Sequence, residues 1–591
     1  MLFSFTNIFM AITSTCRQCQ TSYEILDEDL EFYDRVSPVL SDHKCLIPPP
    51  SLCPDCRQQR RCVWRNERRL YHRKCDLCQK EIISVFSSGI SYTIYCDQCW
   101  WSDKLDARKY GRDFDFSRPF FEQFQELMVL VPFAHSYNLN QENSDYNNWS
   151  SYLKDCYLLA SSNRDEDCLY GRLVNDAKDC VDCLSVYNSE LCYECMECYY
   201  CYGCVACKDS QNCRESFFLE GCIGCSNCFG SVNLRQKQYY FFNEPFTKEQ
   251  YELKMKEINL GDYFVFQEMK KKFAIHRLKF PMKYFVGEKN ENVFGNYLQN
   301  CKDCFNCFDC RNLESCKYCY QVQESKDCQD VMTWGKPGEL LYEAQATGNS
   351  SYHTAFVSMC RGSSDVYYSF GCMYCKHCFG CVSLKNAEYC IFNKQYTKEE
   401  YEELVLRIIE KMGGAFIVDR LSKDKNSIDS MNDKRQTINE YGEFFPTSLS
   451  PFAYNETIAQ DFFPLTKEEV LARNWKWKNE DEKGFYDGPS TTIPSNISDA
   501  TDDICKQILR CEVTGKMYKI ISQELSFYRT MNLPIPHRSP EQRYLDRRDI
   551  RNPRKLWNRT CAKCGEGMKT SYAPERPEIV YCEKCYLESV Y

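Results

Sequence analysis

The sequence predicts a mainly β protein in which zinc-ribbon modules at both ends flank a repeat-built β-solenoid with short capping helices. Three features predict it. Cysteines pair as C-x-x-C at both ends of the chain. The C-terminal end repeats the N-terminal one at a constant offset, so that Arg57, Arg61, Arg65, Asn66, Arg73, Cys75, Cys78, Cys96 and Cys99 are matched by Arg543, Arg547, Arg551, Asn552, Arg559, Cys561, Cys564, Cys582 and Cys585. Between these ends cysteines recur in steps of three and of twelve residues.

A chain of 591 residues holds several domains and can bury large cores without covalent staples. Its 43 cysteines therefore need a chemical reason. Disulfide frameworks belong mainly to small secreted domains, which turns attention to metal ligation and packing. The opening MLFSFTNIFMAI has no basic region and is too short to span a bilayer, and Met10 reads as the start. No later segment reaches a transmembrane length of apolar residues, so a soluble protein of the reducing cytoplasm is expected. The net charge of -9 argues against a surface that coats nucleic acid as a whole and leaves local patches.

The N-terminal module, residues 14–115, carries two sets of four cysteines: Cys16, Cys19, Cys53 and Cys56, then Cys75, Cys78, Cys96 and Cys99. Two knuckles can bring four thiolates to one ion, and an all-thiolate tetrahedral set is a closed structural zinc site with no place for substrate. The flanks RRLYHRK, EIISVF and SYTIY suit the strands of a ribbon. The C-terminal module, residues 505–591, keeps its second set as Cys561, Cys564, Cys582 and Cys585. In its first set Thr514, Ser539 and Gln542 replace the counterparts of Cys19, Cys53 and Cys56, leaving Cys511. About three zinc ions follow, with the degenerate lobe held by packing alone.

Both modules carry a basic stretch. Residues 57–74 hold eight basic side chains against Glu67 alone, and residues 538–559 hold eight against three acids. Ser539 and Pro540 suit a helix start, and Pro553 should end that helix near Asn552. Arg57, Arg61 and Arg65, like Arg543, Arg547 and Arg551, then share a helix face. With Arg73 and Arg559 they form a candidate nucleic-acid surface, RNA favoured, with Trp64, Tyr71 and Trp557 available for stacking. The competing readings are compensation of the thiolate charge and a surface that faces protein.

Residues 156–390 contain 27 cysteines, in two similar units at 130–275 and 280–412. CIGCSNCFGSVNLRQKQYYFFNEPFTKEQYE from Cys222 matches CMYCKHCFGCVSLKNAEYCIFNKQYTKEEYE from Cys372. Fixed periods mark a solenoid whose equivalent side chains line up inside, and cysteine suits that ladder as a small, readily buried side chain. Asp-Cys and Asn-Cys pairs suit its turns. Thr247 with Gln250, Thr397 with Glu400 and, in a fainter third copy, Thr466 with Glu469 are capping boxes, and their helices should cover open sheet ends. Cys301-x-x-Cys304-x-x-Cys307-x-x-Cys310 also suggests a metal cluster, but Arg311 stands where a ferredoxin run has proline. Residues 413–500 read as linker with a partial third repeat.

No phosphate loop, dinucleotide fingerprint, H-E-x-x-H or G-x-S-x-G is present, so the chain is not expected to be an enzyme. His72 and His377 lie near cysteines as alternative ligands. The segments CPDCRQQRRCVWRNERRLYHRKCD, YCDQCWWSDKLDARKYGRDFDFSRPFFEQF and CEVTGKMYKIISQELSFYRTMNLPIP resemble an uncharacterised family of large cysteine-rich zinc-ribbon proteins of candidate-phyla bacteria and environmental sequences. The likeness covers nearly the whole chain and implies architecture, not activity. The expected function is a zinc-binding scaffold that binds nucleic acid through its arginine faces, with a protein-docking solenoid and a redox or metal-cluster protein as alternatives.

Overall fold

In the central runs the backbone takes a left-handed corner at every third residue. Asp155, Leu158, Ser161, Arg164, Asp167 and Tyr170 have φ between 52° and 57°, a region that side chains other than glycine enter at a cost of about 1–2 kcal/mol each. Aspartate and asparagine tolerate it best, which is why they so often precede a cysteine here. Four corners bring the chain back beside itself after twelve residues. One column of parallel bridges runs Tyr157, Leu169, Val181, Tyr193, Val205, Phe217, Phe229, Phe241. Corner N–H groups donate to the preceding turn, as Asp167 does to the Lys154 carbonyl at 3.1 Å, and these bonds offset the cost of the corners.

The residue after each corner faces inward, and most of these side chains are small, with Leu153, Leu159, Val174 and Leu219 among the larger ones. Cys156, Cys168, Cys180, Cys192 and Cys204 occupy such positions and all are buried. Their thiols also have partners: Cys180 Sγ donates to the Lys178 carbonyl at 3.4 Å and the Ser189 carbonyl at 3.6 Å. Serine takes the same place at Ser162, Ser189, Ser210 and Ser216, each hydroxyl donating two residues back. The second run pairs in parallel from Gly287–Glu288 to Glu388–Ile391 within one ten-stranded sheet. It slips to a thirteen-residue return at Met332↔Gln345 and Tyr342↔Ala355. Strand is commoner than helix in the chain, and no sheet among the described residues closes into a barrel.

Each run ends in an antiparallel pair, Tyr240–Phe241 with Glu244–Pro245 and Glu388–Ile391 with Lys394–Gln395. The capped helices Lys248–Glu257 and Lys398–Lys411 follow, with Thr247 and Thr397 closing capping boxes, and Thr466 does the same for Lys467–Ala472.

The computed structural model describes residues 11–333, 337–348, 350–418, 440–479 and 490–591. Most of the opening apolar segment, and residues 419–439 and 480–489 of the stretch read as linker, lie outside them. Within that stretch Ala415–Val418 is a strand paired antiparallel with His43–Leu46. No helix among the described residues is long and apolar enough to cross a membrane.

The chain divides into two interleaved compact units. One comprises residues 1–135 and 286–478, the other residues 136–285 and 479–591. The N-terminal module therefore groups with the second cysteine-rich run, and the C-terminal module with the first. The modules share one element order: a hairpin at the first knuckle, a helix, an arginine-bearing helix, a second hairpin, a short strand and a last helix. The arginine helices are Pro54–Cys62 and Pro540–Ile550, both with proline in the first turn. Ser539 accepts from the Gln542 N–H, and Arg551 is the C-cap, two residues before Pro553.

Candidate metal centres and the arginine sockets

The knuckles are built by the backbone before any metal is considered. At Cys16, Cys75 and Cys561 the cysteine N–H donates to a carbonyl five residues on, at 2.8–2.9 Å, and its own carbonyl accepts from the N–H four residues on. That turn needs a left-handed residue, supplied by Gln20, Gln79 and Gly565. Cys511 makes the same two bonds around Gly515, so the degenerate lobe keeps the knuckle after three of its cysteines are gone. Leu509, Cys511, Tyr518, Ile520 and Leu525 there join one apolar core.

Three groups of four sulfurs result: Cys16, Cys19, Cys53, Cys56; Cys75, Cys78, Cys96, Cys99; and Cys561, Cys564, Cys582, Cys585. Within each, all sulfurs lie within 4.8 Å of one another. The separations Cys19–Cys53, Cys78–Cys96 and Cys564–Cys582 are 3.6, 3.7 and 3.7 Å. A tetrahedral ion with metal–sulfur bonds of about 2.3 Å requires sulfurs about 3.8 Å apart, so each group fits such an ion. Backbone N–H groups already stabilise the thiolates: Cys96 N donates to Cys75 Sγ, and Cys582 N to Cys561 Sγ, both at 3.2 Å. Burial pushes the Cys75 thiol up, but N–H groups of Cys78, Cys96 and Leu77 outweigh it and bring it to about 6. Cys561 reaches about 6 in the same way. One thiol in each of these two groups is thereby lowered towards the thiolate form that binds metal, while burial and the neighbouring thiols push Cys99 and Cys585 up to about 12. Each group could hold one metal ion, three in all, and a closed set of four thiolates leaves no open position for catalysis.

Among the described residues the central cysteines form no such group. All 27 are buried and none is in a disulfide. His72 and His377 belong to no cluster; His377 stacks on Tyr389 instead.

The arginines proposed for nucleic acid turn inward. Arg57 and Arg61 are buried and share the equally buried Asp330 of the second run, Arg57 through Nε and Arg61 through Nη2 at 3.2 Å. Arg60 places its Nη2 2.7 Å from Glu343 and its Nη1 2.7 Å from Glu443. The C-terminal module repeats this arrangement. Arg543 and Arg547, counterparts of Arg57 and Arg61, share the buried Asp182 of the first run at 3.3 and 2.8 Å. Arg65 lies past its helix end and pairs with Glu67 at 2.6 Å, while Arg551 pairs with Glu197 at 2.7 Å. Guanidiniums enclosed in this way do not form an open surface for a nucleic-acid backbone. Arg73 and Arg559 stay partly exposed, and each donates to backbone carbonyls across its own hairpin. Trp64 is buried against Phe370, Phe444 and Phe445, Tyr71 donates to Glu456, and Trp557 lies under Lys555. Arg57, Arg60, Arg61, Arg543, Arg547 and Arg551 thus each meet a carboxylate of a cysteine-rich run. The acids are invisible in local sequence, since Asp330 stands 273 residues from Arg57.

No family model matches this chain, and no curated protein matches it in sequence. Among solved structures, one described as an acetyltransferase from Desulfovibrio desulfuricans G20 aligns at 9% identity over 47% of this chain and 73% of that one. Its TM-score is 0.10, a likeness that carries no argument about fold or function.

Proposed function

We propose that the chain is a zinc-stabilised, non-enzymatic scaffold that docks protein partners along its repeat runs. The observation that carries this reading is the duplicated arginine socket. Both modules clamp a cysteine-rich run through buried ion pairs, and so act as braces and not as faces presented to a ligand. The twelve-residue returns are taken as turns of a β-solenoid, and zinc as the ion because it favours closed thiolate sets. The runs expose Tyr152, Tyr200, Tyr202, Tyr352 and Tyr374. Tyr152 and Tyr200 occupy the same position of the repeat four turns apart. Exposed tyrosines on a rigid frame are typical anchors of protein interfaces.

Nucleic-acid binding, RNA included, would need cations other than Arg57, Arg61, Arg543 and Arg547. A redox or cluster role would need central thiols gathered on one point, whereas they are spread along the turns. The test is capture of partners by the zinc-loaded full chain and by a Tyr152, Tyr200 and Tyr202→Ser variant, with nuclease and in high salt. Partners that survive both treatments and are lost with the tyrosines are expected. Capture that nuclease or salt abolishes, and that the variant retains, would return nucleic acid to the front.

A further inference from the structure

The unit formed by residues 136–285 and 479–591 contains a cavity of about 390 Å³, within the size range of small-molecule sites. Tyr193 and Phe218 of the first run, Phe266 and Phe273 of the helix Tyr263–His276, and the end of the arginine helix at Ile550 line it. Its apolar wall is aromatic. Its charged residues are seven basic to three acidic, because Asp182, Glu524, Glu512 and Glu578, which neutralise several of those cations, stand outside the lining. With those four acids the charges balance, so the sign of a guest follows from unpartnered nitrogens on the wall and not from net charge.

Three lining side chains, Arg543, Arg547 and His537, keep hydrogen-bond donors or acceptors without a partner. Arg543 is only 3% exposed. Its Nη1 serves Glu524 and Tyr528 at 2.9 Å each, but its Nη2 has no hydrogen-bond partner, and neither has His537 Nε2. An unsatisfied buried donor costs about 1–3 kcal/mol, and a ligand oxyanion would remove that cost.

The duplication supplies an internal control. The counterpart of Ile550 in the other module is Trp64, fully buried against Phe370, Phe444 and Phe445. The counterpart of Arg543 is Arg57, whose Nε donates to Asp330 and whose Nη1 donates to the Leu52 carbonyl. Where one module fills the flank of its arginine helix with an indole, the other has the smaller, 46% exposed Ile550 at the rim of a cavity.

We propose that this cavity is a binding site for a small organic oxyanion, an aromatic or apolar body bearing a carboxylate or phosphate. The body packs on Phe218, Phe266 and Phe273, and the oxyanion accepts from Arg543, with Lys271 at the exposed edge. The site does not depend on partner docking by the runs.

The experiment titrates the zinc-loaded full chain with anilinonaphthalene sulfonate, an anionic aromatic fluorophore, followed by competition. Saturable binding of one probe per chain is expected, displaced by naphthoate or naphthyl phosphate and not by neutral naphthalene methanol. The more potent of the two anions identifies the headgroup. Ile550→Trp, at an exposed position, should abolish binding while leaving zinc content and thermal unfolding unchanged. Lys271→Gln should weaken it about two- to five-fold, the size of one exposed charge contact. Failure of the wild-type chain to bind, equal displacement by the neutral alcohol, or full binding by a folded Ile550→Trp variant would each overturn the proposal.

Discussion

Asp330→Asn is the sharpest probe of the arginine sockets. Asp330 is wholly buried and lies between two buried guanidiniums, Arg57 and Arg61. The amide keeps the shape and one acceptor but removes the charge, leaving Glu343 as the acid nearest Arg61, at 3.5 Å. Removing one partner of a buried pair costs about 3–5 kcal/mol, because the other charge stays desolvated. A unit of about 330 residues, at about 2.1 cal/mol/K per residue, loses roughly 1.5 °C per kcal/mol, so a fall of about 4–7 °C is expected for the unit holding residues 1–135 and 286–478. Calorimetry of the zinc-saturated chain reads it, with tryptophan fluorescence weighted to that unit by Trp64, Trp100, Trp101, Trp475 and Trp477 against Trp149 and Trp557 of the other. Asp34→Asn, at a half-exposed surface pair, is the control and should stay within about 0.5 kcal/mol of wild type. If Asp330→Asn behaves like that control, the sockets do not hold the fold and the arginines become available again for an external anion. The same reasoning warns that Arg57, Arg61 and Arg65→Glu would disrupt folding, whatever the chain binds.

Elemental analysis of anaerobically purified protein should give three zinc per chain and no iron, falling to two in Cys564→Ser; iron, or many more zinc ions, would make the central runs a metal domain. Cys180→Ser should cost about 1 kcal/mol or less in urea unfolding, since serine already fills such inward positions, whereas Cys180→Leu should cost about 1–3 kcal/mol or more through overpacking; equal costs would mean the ladder is not chosen for size. Glu220, which meets Lys208 at 2.9 Å and also Arg277, is pushed up by burial but held down to about 2 by those two cations. A depressed carboxylate stabilises the fold above its ordinary value and loses that contribution as pH falls. The gap between wild type and Glu220→Gln, roughly 3 kcal/mol at neutral pH, should therefore close as pH drops from about 4.5 towards 2 in chemical denaturation, and a gap indifferent to pH would refute the assignment.

Much of this protein is determined locally, and that part is legible in the sequence alone. The spacing of Cys75, Cys78, Cys96 and Cys99 encodes a knuckle turn and a hairpin, so the ligand set follows from short-range geometry. Thr247, Thr397 and Thr466 announce their helices because a capping box is closed within four residues. The aspartates before Cys156, Cys168 and Cys180 mark corners because aspartate and asparagine enter a left-handed backbone at the least cost among side chains larger than glycine, and the period of twelve is those corners counted round one turn. The fate of the arginines is of another kind. A run such as RQQRRCVWR has the same composition whether it meets phosphate or carboxylate, and the deciding acids, Asp330 for Arg57 and Asp182 for Arg543, lie hundreds of residues away. Only the tertiary structure, which groups each end of the chain with the more distant cysteine-rich run, brings those charges together, because a buried cation is stable only where the fold delivers a buried anion to meet it.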